Sequence, residues 1–132
     1  VITRAVKMYM DGALGSRGAA LLEPYSDRPE SSGLLFPEGD EMLGVMTEAL
    51  RSGVQINVHA IGDRGNRVLL DWVEEALAAV PAEERALPEH RWRDEHSQII
   101  DPDDIPRFAE LGVIASMQPS HAIGDLYFAP AR

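Results

Sequence analysis

Residues 54–66 read VQINVHAIGDRGN, and this stretch decides how the chain folds. Its first six residues are rich in β-formers, end at His59, and are followed by a polar turn that contains two glycines. From about 64 to 80, apolar side chains recur at helical spacing, and Pro81 stops the helix. A strand that passes through a short turn into a helix is typical of a parallel α/β sheet.

The same alternation continues on both sides of this stretch. The further elements are strands over 1–10, 90–99 and 113–117, helices over 41–52 and 102–111, and a Gly- and Pro-rich loop over 11–39. The third strand, within 90–99, has fewer apolar residues than a buried strand usually carries. The order β, loop, α, β, α, β, α, β predicts four parallel strands joined by right-handed crossover helices.

Composition and charge exclude several classes of partner. The chain has 132 residues, 45% of them hydrophobic and 26% charged, which is typical of a folded globular protein. Twelve Lys and Arg face 22 Asp and Glu, so the net charge is -10. This charge repels phosphate backbones and anionic lipid headgroups, and we therefore expect neither nucleic acid nor a membrane surface as a partner.

The chain has no cysteine, and it shows no targeting pattern. Without cysteine there are no disulfides, thiolate zinc sites or cysteine nucleophiles, which leaves His, Asp, Glu and a modified Lys as metal ligands. The N-terminus has no signal-peptide pattern and no run is apolar enough to span a bilayer, so a cytoplasmic location is favoured. Because the sequence begins with Val1, we expect this residue to be internal to a longer protein.

Histidines stand at the ends of two neighbouring predicted strands. His59 ends the second strand and His96 lies near the end of the third. Carboxyl ends of parallel strands face one active-site edge, and backbones of neighbouring strands are about 5 Å apart, so the two imidazoles could share one ion. The alternative is that each is an unrelated core or surface histidine.

Lys7 is a further candidate, because it lies within a mostly apolar strand. Partial burial lowers the pKa of a lysine, and a neutral amine can react with carbon dioxide to give an anionic carbamate ligand. The alternative is a lysine that faces solvent. Asp11 and Asp63 have local explanations as a turn residue and a helix cap, and His90 is assigned no role.

Two other chemistries are not supported by the sequence. Serine adjoins histidine at 96–97 and at 120–121, but the G-x-S-x-G elbow of acyl-enzyme hydrolases is absent. The string GALGSRG is rich in glycine but lacks the G-x-x-x-x-G-K pattern of a phosphate-binding loop. Acyl-enzyme and nucleotide chemistry are therefore not expected.

Four strings occur together in order: VKMYMDGALGSRGAALLEPYSD, HAIGDRGN, RDEHSQ and LGVIASMQPSH, the last followed by Asp125. In this combination the chain resembles the YtcJ-like branch of the metal-dependent amidohydrolase superfamily, also called amidohydrolase family 3, relatives of N-substituted formamide deformylase. The resemblance covers nearly the whole chain. It implies a distorted (β/α)8 TIM barrel in which one or two divalent metals, usually zinc, support hydrolysis of amide-type, non-peptide C–N bonds in small molecules.

The resemblance also implies roles for individual residues. Lys7 would be a carbamylated, bridging metal ligand, formed with carbon dioxide, and His59 and His96 would be the metal ligands at the strand ends. The residues expected near the substrate are Asp11, Arg17, Gln118 and His121. Activated water would attack the substrate without a covalent enzyme intermediate.

Part of the superfamily pattern is missing from this sequence. No two histidines are two residues apart, so the H-x-H pair of the first barrel strand is absent, and the general-base aspartate of the last strand is expected outside the chain. Residues 1–132 thus resemble a single segment of the catalytic barrel, roughly strands four to seven of eight. A partial barrel leaves strand edges uncovered, so we expect it to associate with the missing half or with a second copy.

Three functional hypotheses follow. The first is a segment of a metal-dependent amidohydrolase that is inactive alone. The second is a non-catalytic half-barrel that serves as an assembly unit. The third is a metal-independent α/β domain whose histidines are structural, and a zinc-binding measurement separates the first from the other two.

Overall fold

The computed structural model describes residues 2–36 and 39–132. Four strands form one sheet in the order β1-β2-β3-β4, and each neighbouring pair is parallel. The strands are β1 (Ala5–Tyr9), β2 (Gln55–Ala60), β3 (Arg93–His96) and β4 (Ile114–Met117). The predicted α/β alternation is confirmed. The first residue of the predicted first strand and loop residues 37 and 38 lie outside the described residues.

Helices connect the strands. They are α1 (Gly39–Ser52), α2 (Asp63–Ala79), α3 (Ile105–Leu111) and α4 (His121–Gly124), with short 3-10 turns at Ala82–Glu84, Pro102–Asp104 and Ala129–Ala131. Asp101 accepts a bond from the backbone N–H of Asp103 and so caps the turn that leads into α3, while Gly112, at φ 70°, ends that helix. The short α4 was not predicted. Within the described residues, no helix combines the length and the apolar character needed to cross a bilayer.

The two faces of the sheet differ in character. On β2, Ile56, Val58 and Ala60 are buried beneath the helices, while His59 and the other alternate residues point to the opposite face. Side chains of α1, α2 and the sheet form the main core, which includes Met46, Leu50, Ile56, Val58, Leu69, Leu70, Val73 and Trp92. The uncovered side, called the open face below, carries Lys7, Tyr9, Asn57, His59, Arg93, Glu95 and Ser116.

Strand β3 is shorter than the predicted 90–99. Arg91 has φ 52° before the strand, and His96 and Ser97 have φ 85° and 43° at its end. Extended backbone has negative φ, so the strand ends at His96, which is its last paired residue. Positive φ is uncommon in non-glycine residues, and two of the four described cases are the candidate ligand His96 and its neighbour Ser97.

The loop after β1 is ordered by its own small core. Leu14, Ala19, Tyr25 and Ile61 are buried together, and the Tyr25 hydroxyl donates to the Ala19 carbonyl at 2.8 Å. Burial raises the pKa of Tyr25 to about 12, so the phenol stays protonated and keeps this bond. The loop is therefore a packed structure that rests against the β2–α2 turn.

Candidate active site

Parallel register brings the candidate residues to one edge of the sheet. Tyr9 pairs with His59, His59 with Glu95, and Glu95 with Ser116, while His96 pairs with Ala60 one step further along. His59 and His96 lie with ring centroids 4.5 Å apart in an edge-to-face arrangement. The predicted closeness of these two imidazoles at the carboxyl edge is thus confirmed as geometry, while their metal ligation stays a prediction.

The ring of His59 is held through one nitrogen. Its Nε2 lies 3.3 Å from the carbonyl oxygen of Gly12 and 3.4 Å from Oδ1 of Asp11. A carbonyl and a carboxylate oxygen can only accept, so Nε2 must carry the proton in these contacts. In a neutral ring the lone pair is then on Nδ1, which is the nitrogen available to a metal.

His96 is held through its other nitrogen. Its Nδ1 is hydrogen-bonded to Oε1 of Gln118, which leaves Nε2 as the nitrogen with a free lone pair. Strict alternation along β3 would point the side chain of His96 to the helix-covered face. His96 has a positive φ, however, and its ring contacts the ring of His59 instead. Partial burial lowers the pKa of His96. The nearby His59 and Lys7 lower this pKa further, whereas the hydrogen bond with Gln118 raises it.

Lys7 lies on the open face, where the residue is exposed, as in the solvent-facing alternative. Its Nζ is 5.2 Å from the ring centroid of Tyr9, whose ring in turn lies 5.4 Å from that of His59. Desolvation still lowers the pKa of Lys7, while Glu95 and Asp94 raise it. A lowered pKa is the condition that carbamate formation needs.

The structure places Asp11 inside the protein, where it is 1% exposed. Its carboxylate accepts backbone bonds from Ala20 at 2.9 Å, from Ile61 at 3.0 Å and from Gly62 at 2.8 Å. The contact with substrate that the resemblance implies for Asp11 stays a prediction. The observed bonds join the loop after β1 to the turn after β2, and they place the carboxylate beside His59.

Arg17 is engaged elsewhere. Its guanidinium binds both oxygens of Asp27, at 3.0 and 2.7 Å, and Asp27 also contacts Arg132. This bidentate pair fixes Arg17 within the loop rather than beside the two histidines. Its predicted contact with substrate is therefore untested, and it would require the Asp27 pair to be shared or released.

Gln118 and His121 lie beside His96, while their predicted contact with substrate stays a prediction. The rings of His96 and His121 are stacked, with centroids 5.9 Å apart, and among the described residues the buried Nδ1 of His121 has no hydrogen-bond partner. A cavity of about 500 Å³ opens here. Its lining includes His96, Gln98, Ile99, Met117, Gln118, His121, Asp125 and Leu126.

Several further residues of this region have no role assigned from the sequence. Gln98 donates to Asp125 at 2.6 Å across the cavity wall, and Arg93 binds Glu95 at 2.7 Å and Ser116 at 2.6 Å on the open face. Strand alternation through RDEH could have assigned Arg93 and Glu95 to the face of His59. No local pattern links Gln98 to Asp125, which is 27 residues further along the chain.

Asp94 also has no role assigned from the sequence, and its buried carboxyl group is unusual for a strand residue. It is fully buried, and within the described part of the chain neither carboxylate oxygen has a hydrogen-bond partner. Burial raises the pKa of Asp94 well above its ordinary value, and nearby Asp11 and Glu95 add to this effect. The neutral acid is therefore favoured at this position.

The described side chains do not by themselves complete a metal centre. Over residues 2–36 and 39–132, no three His, Cys, Asp or Glu side chains are close enough to hold an ion. The two imidazoles with free lone pairs are nevertheless of the right chemistry for zinc, and Lys7 could join them only as an anionic carbamate. A complete site would need such a modification or further groups.

Two solved structures share this fold. A metal-dependent hydrolase from Pyrococcus furiosus, described as uncharacterized, is 39% identical with a TM-score of 0.76 over 91% of this chain and 23% of its own. A second such hydrolase, from Pyrococcus horikoshii OT3, is 34% identical with a TM-score of 0.80 over 97% of this chain and 24% of its own. The four parallel strands therefore match part of the TIM-barrel-like fold of these two hydrolases.

The chain belongs to the amidohydrolase family, whose sequence profile matches residues 1–131. LONG AFTER FAR-RED 3 of Arabidopsis thaliana is 38% identical over 120 residues, which are 91% of this chain and 20% of that protein. YtcJ of Bacillus subtilis (strain 168) is 33% identical over 122 residues, or 92% and 21%. The chain spans about a fifth of the length of these curated relatives, and the predicted family resemblance is confirmed.

Proposed function

We propose that residues 1–132 form one segment of the catalytic barrel of an amidohydrolase that cleaves amide-type, non-peptide C–N bonds of small molecules. The observation that carries this proposal is the His59–His96 pair. The two rings meet at the carboxyl edge of the sheet, and each has one nitrogen bonded to an acceptor and the other without a hydrogen-bond partner among the described residues. Family membership and the two metal-dependent hydrolase structures support the same reading.

The proposed ligands are His59 through Nδ1, His96 through Nε2 and Lys7 as a carbamate, with zinc as the metal. The neutral Nζ of Lys7 adds to carbon dioxide, which forms an N–C bond and releases one proton to water. A metal held there would lower the pKa of a bound water toward about 7 and polarise the scissile carbonyl. The general-base aspartate is expected outside this chain.

The residues around the ligands have positioning and binding roles in this proposal. Gln118 orients His96, and the Gly12 carbonyl orients His59. The cavity beside His96 would receive the substrate, with apolar walls from residues such as Met117 and Leu126 and polar groups at Gln98 and Asp125. Asp11, Arg17, Gln118 and His121 remain the residues proposed to lie near the substrate.

The sheet offers a place for the rest of a barrel. In the part of the chain that the structure describes, β1 and β4 each pair with one strand only, so each has a free edge. The open face also carries polar side chains that are not covered by helices. We propose that the missing barrel half, or a second copy of the chain, pairs with these edges. If the chain binds no metal, the non-catalytic assembly unit becomes the better explanation.

Zinc titration of the 132-residue chain by calorimetry tests the proposal. We expect a zinc site whose affinity falls about 100-fold or more in His59→Ala and His96→Ala, because each change removes a ligand. His90→Ala is the matched control and should bind like the wild type. The isolated chain is expected not to hydrolyse N-acyl substrates. A folded wild type that binds no zinc, or unchanged affinity in both ligand variants, would overturn the metal site.

Lys7 needs a separate measurement, because carbamates are lost in acid. Native mass spectrometry at alkaline pH, with and without bicarbonate, should show the mass of one added carbon dioxide only when zinc is present. The Lys7→Arg variant keeps the charge and serves as the control without a reactive amine of low pKa. If neither the wild type nor the variant gained the mass of one carbon dioxide under any of these conditions, Lys7 would be excluded as a carbamate ligand.

A further inference from the structure

The Asp11 carboxylate has one acceptor position left after its backbone bonds. A carboxylate offers about four lone-pair positions on its two oxygens. Oδ2 accepts from the N–H groups of Ala20 and Gly62, and Oδ1 accepts from that of Ile61. Oδ1 itself lies 3.4 Å from Nε2 of His59, an ion-pair contact beside the 3.3 Å contact of the same nitrogen with the Gly12 carbonyl. The remaining acceptor capacity is thus directed at the ring of a candidate ligand.

The surroundings hold this carboxylate in place. Asp11 is 1% exposed, and a Cβ added at Gly65, in the first turn of α2, would lie 2.8 Å from its Oδ2. Three backbone donors from two separate segments fix both of its oxygens, so the carboxylate cannot turn away without leaving buried N–H groups unpaired. Its orientation toward His59 is therefore built into the fold.

We propose that Asp11 is a positioning residue for His59. With the Gly12 carbonyl it forms a pair of acceptors that keeps the proton on Nε2 and leaves the Nδ1 lone pair free. This inference deepens the proposed function, since a ligand histidine whose second nitrogen is held by a carboxylate binds metal in a fixed tautomer. The same carboxylate bonds the loop at Ala20, so the loop after β1 is coupled directly to the ring.

The tautomer can be measured without metal. In nitrogen-15 spectra of the histidine-labelled, metal-free chain in alkaline buffer, His59 should be a single tautomer protonated at Nε2. A wild-type ring protonated at Nδ1, or a mixture of tautomers, would overturn the proposal even if zinc binds. Conversely, a fixed Nε2–H tautomer without any zinc binding would support the positioning role and reject the metal site.

Asp11→Asn gives the sharpest change. The side-chain oxygen of Asn should occupy the Oδ2 position, which has two N–H donors, so that its amide nitrogen replaces Oδ1. A donor would then face Nε2, which favours the tautomer protonated at Nδ1. We expect a shift to that tautomer and a zinc affinity lower by about 10- to 100-fold, the size of effect seen when a ligand's carboxylate partner is lost.

Asp63→Asn is the matched control. The Asp63 carboxylate also joins the loop to α2, since it accepts from the N–H groups of Leu22 at 2.8 Å and Arg64 at 2.9 Å. The structure shows no contact between Asp63 and His59 among the described hydrogen bonds and ion pairs. This variant should therefore loosen the loop while the His59 tautomer and the zinc affinity stay as in the wild type.

A purely structural role for Asp11 predicts a different result. Asp11→Asn would then lower stability, as we expect of Asp63→Asn. His59 would still be protonated at Nε2, and the zinc affinity would be unchanged. If Asp11→Asn does not fold, Gly65→Ala displaces the carboxylate without altering its chemistry, because the new Cβ would meet Oδ2 at 2.8 Å. If both the Nε2–H signal of His59 and the zinc affinity were unaltered in a folded Gly65→Ala chain, the proposal would also be overturned.

Discussion

The two ends of the sheet use histidine in different ways. At the amino end, His90 bonds backbone groups through both ring nitrogens: Nδ1 accepts from the Trp92 N–H at 3.0 Å and Nε2 donates to the Leu111 carbonyl at 2.8 Å. At the carboxyl end, His59 and His96 each use one nitrogen, and within residues 2–36 and 39–132 the other forms no hydrogen bond. A histidine with both nitrogens engaged stabilises the fold, whereas one with a free lone pair is available for chemistry.

This difference follows the general division of labour in α/β barrels. Residues at the amino ends of the strands contribute to stability, and residues at the carboxyl ends form the site. The carboxyl end must also hold its loops tightly if the free nitrogens are to keep their positions. Here it does so through close backbone contact between the β2–α2 turn and the loop after β1, in addition to the Asp11 carboxylate.

The largest effect is expected from Gly62→Ala. A Cβ at Gly62 would lie 2.0 Å from the carbonyl oxygen of Ala20, a backbone atom that cannot rotate away. The two segments must separate, and we expect a loss of about 3 kcal/mol or more in the free energy of unfolding. Urea denaturation followed by circular dichroism measures it.

Gly44→Ala is the control for this substitution. Gly44 is exposed on α1, and an added Cβ meets nothing within 4 Å. Alanine should stabilise that helix by about 0.5–1 kcal/mol. If both alanine variants were equally stable, the carboxyl end would not depend on the close contact, and its loop would be only loosely attached.

His90→Ala should have the next largest effect, at the opposite end of the sheet. The substitution leaves the Trp92 N–H and the Leu111 carbonyl without their partner, and we expect stability to fall by about 1–3 kcal/mol. Zinc affinity should not change. A loss of zinc binding with little loss of stability would reverse the assignment of roles to the two ends.

A pH series sharpens the same contrast. Burial lowers the pKa of His90 below its ordinary 6.5. The unfolded chain therefore binds this proton more readily than the folded one, so the stability from neutral His90 is complete above about pH 6.5 and is lost as the pH falls through the folded pKa. Over this range the free energy of unfolding falls by at most about 1.4 kcal/mol for each pH unit.

The measurement is the difference in unfolding free energy between wild type and His90→Ala at several pH values. We expect this difference to shrink as the pH falls below 6.5, since only the wild type carries the His90 proton. A constant difference across this range would mean that protonation does not disturb the Trp92 and Leu111 bonds. His90 would then be a packing residue only.

The sequence predicted the strand-end histidines but not the structural one, for a physical reason. The pairing of His59 with His96 follows from a general rule, because parallel strands end at one edge. The Leu111 partner of His90 lies 21 residues away and is a backbone carbonyl, which any residue type provides. The charged sequence around His90 therefore does not indicate that its ring is held by hydrogen bonds to the backbone.

Asp11 and strand β3 show the same limit. The donors to the Asp11 carboxylate are backbone groups up to 51 residues away, so an Asp-Gly pair was interpreted as a turn or as a substrate contact. The end of β3 was placed too late because positive φ at His96 and Ser97 is not marked by glycine there. Local patterns indicate elements and edges, whereas long-range bonds to backbone atoms have no sequence signature.

The smallest expected effect is at His96, where the proposed role as a ligand can be separated from the contribution to stability. Its φ of 85° lies in the region that favours glycine, so the fold holds a side chain there against a local cost. His96→Gly should be more stable than His96→Ala by about 1 kcal/mol, because alanine retains the strained Cβ, while both variants lack the proposed ligand. Equal stability in urea titrations would show that the conformation at position 96 is unstrained. If glycine is more stable, the carboxyl end of the sheet loses stability by holding an imidazole at position 96. At the amino end, by contrast, the imidazole of His90 adds to stability.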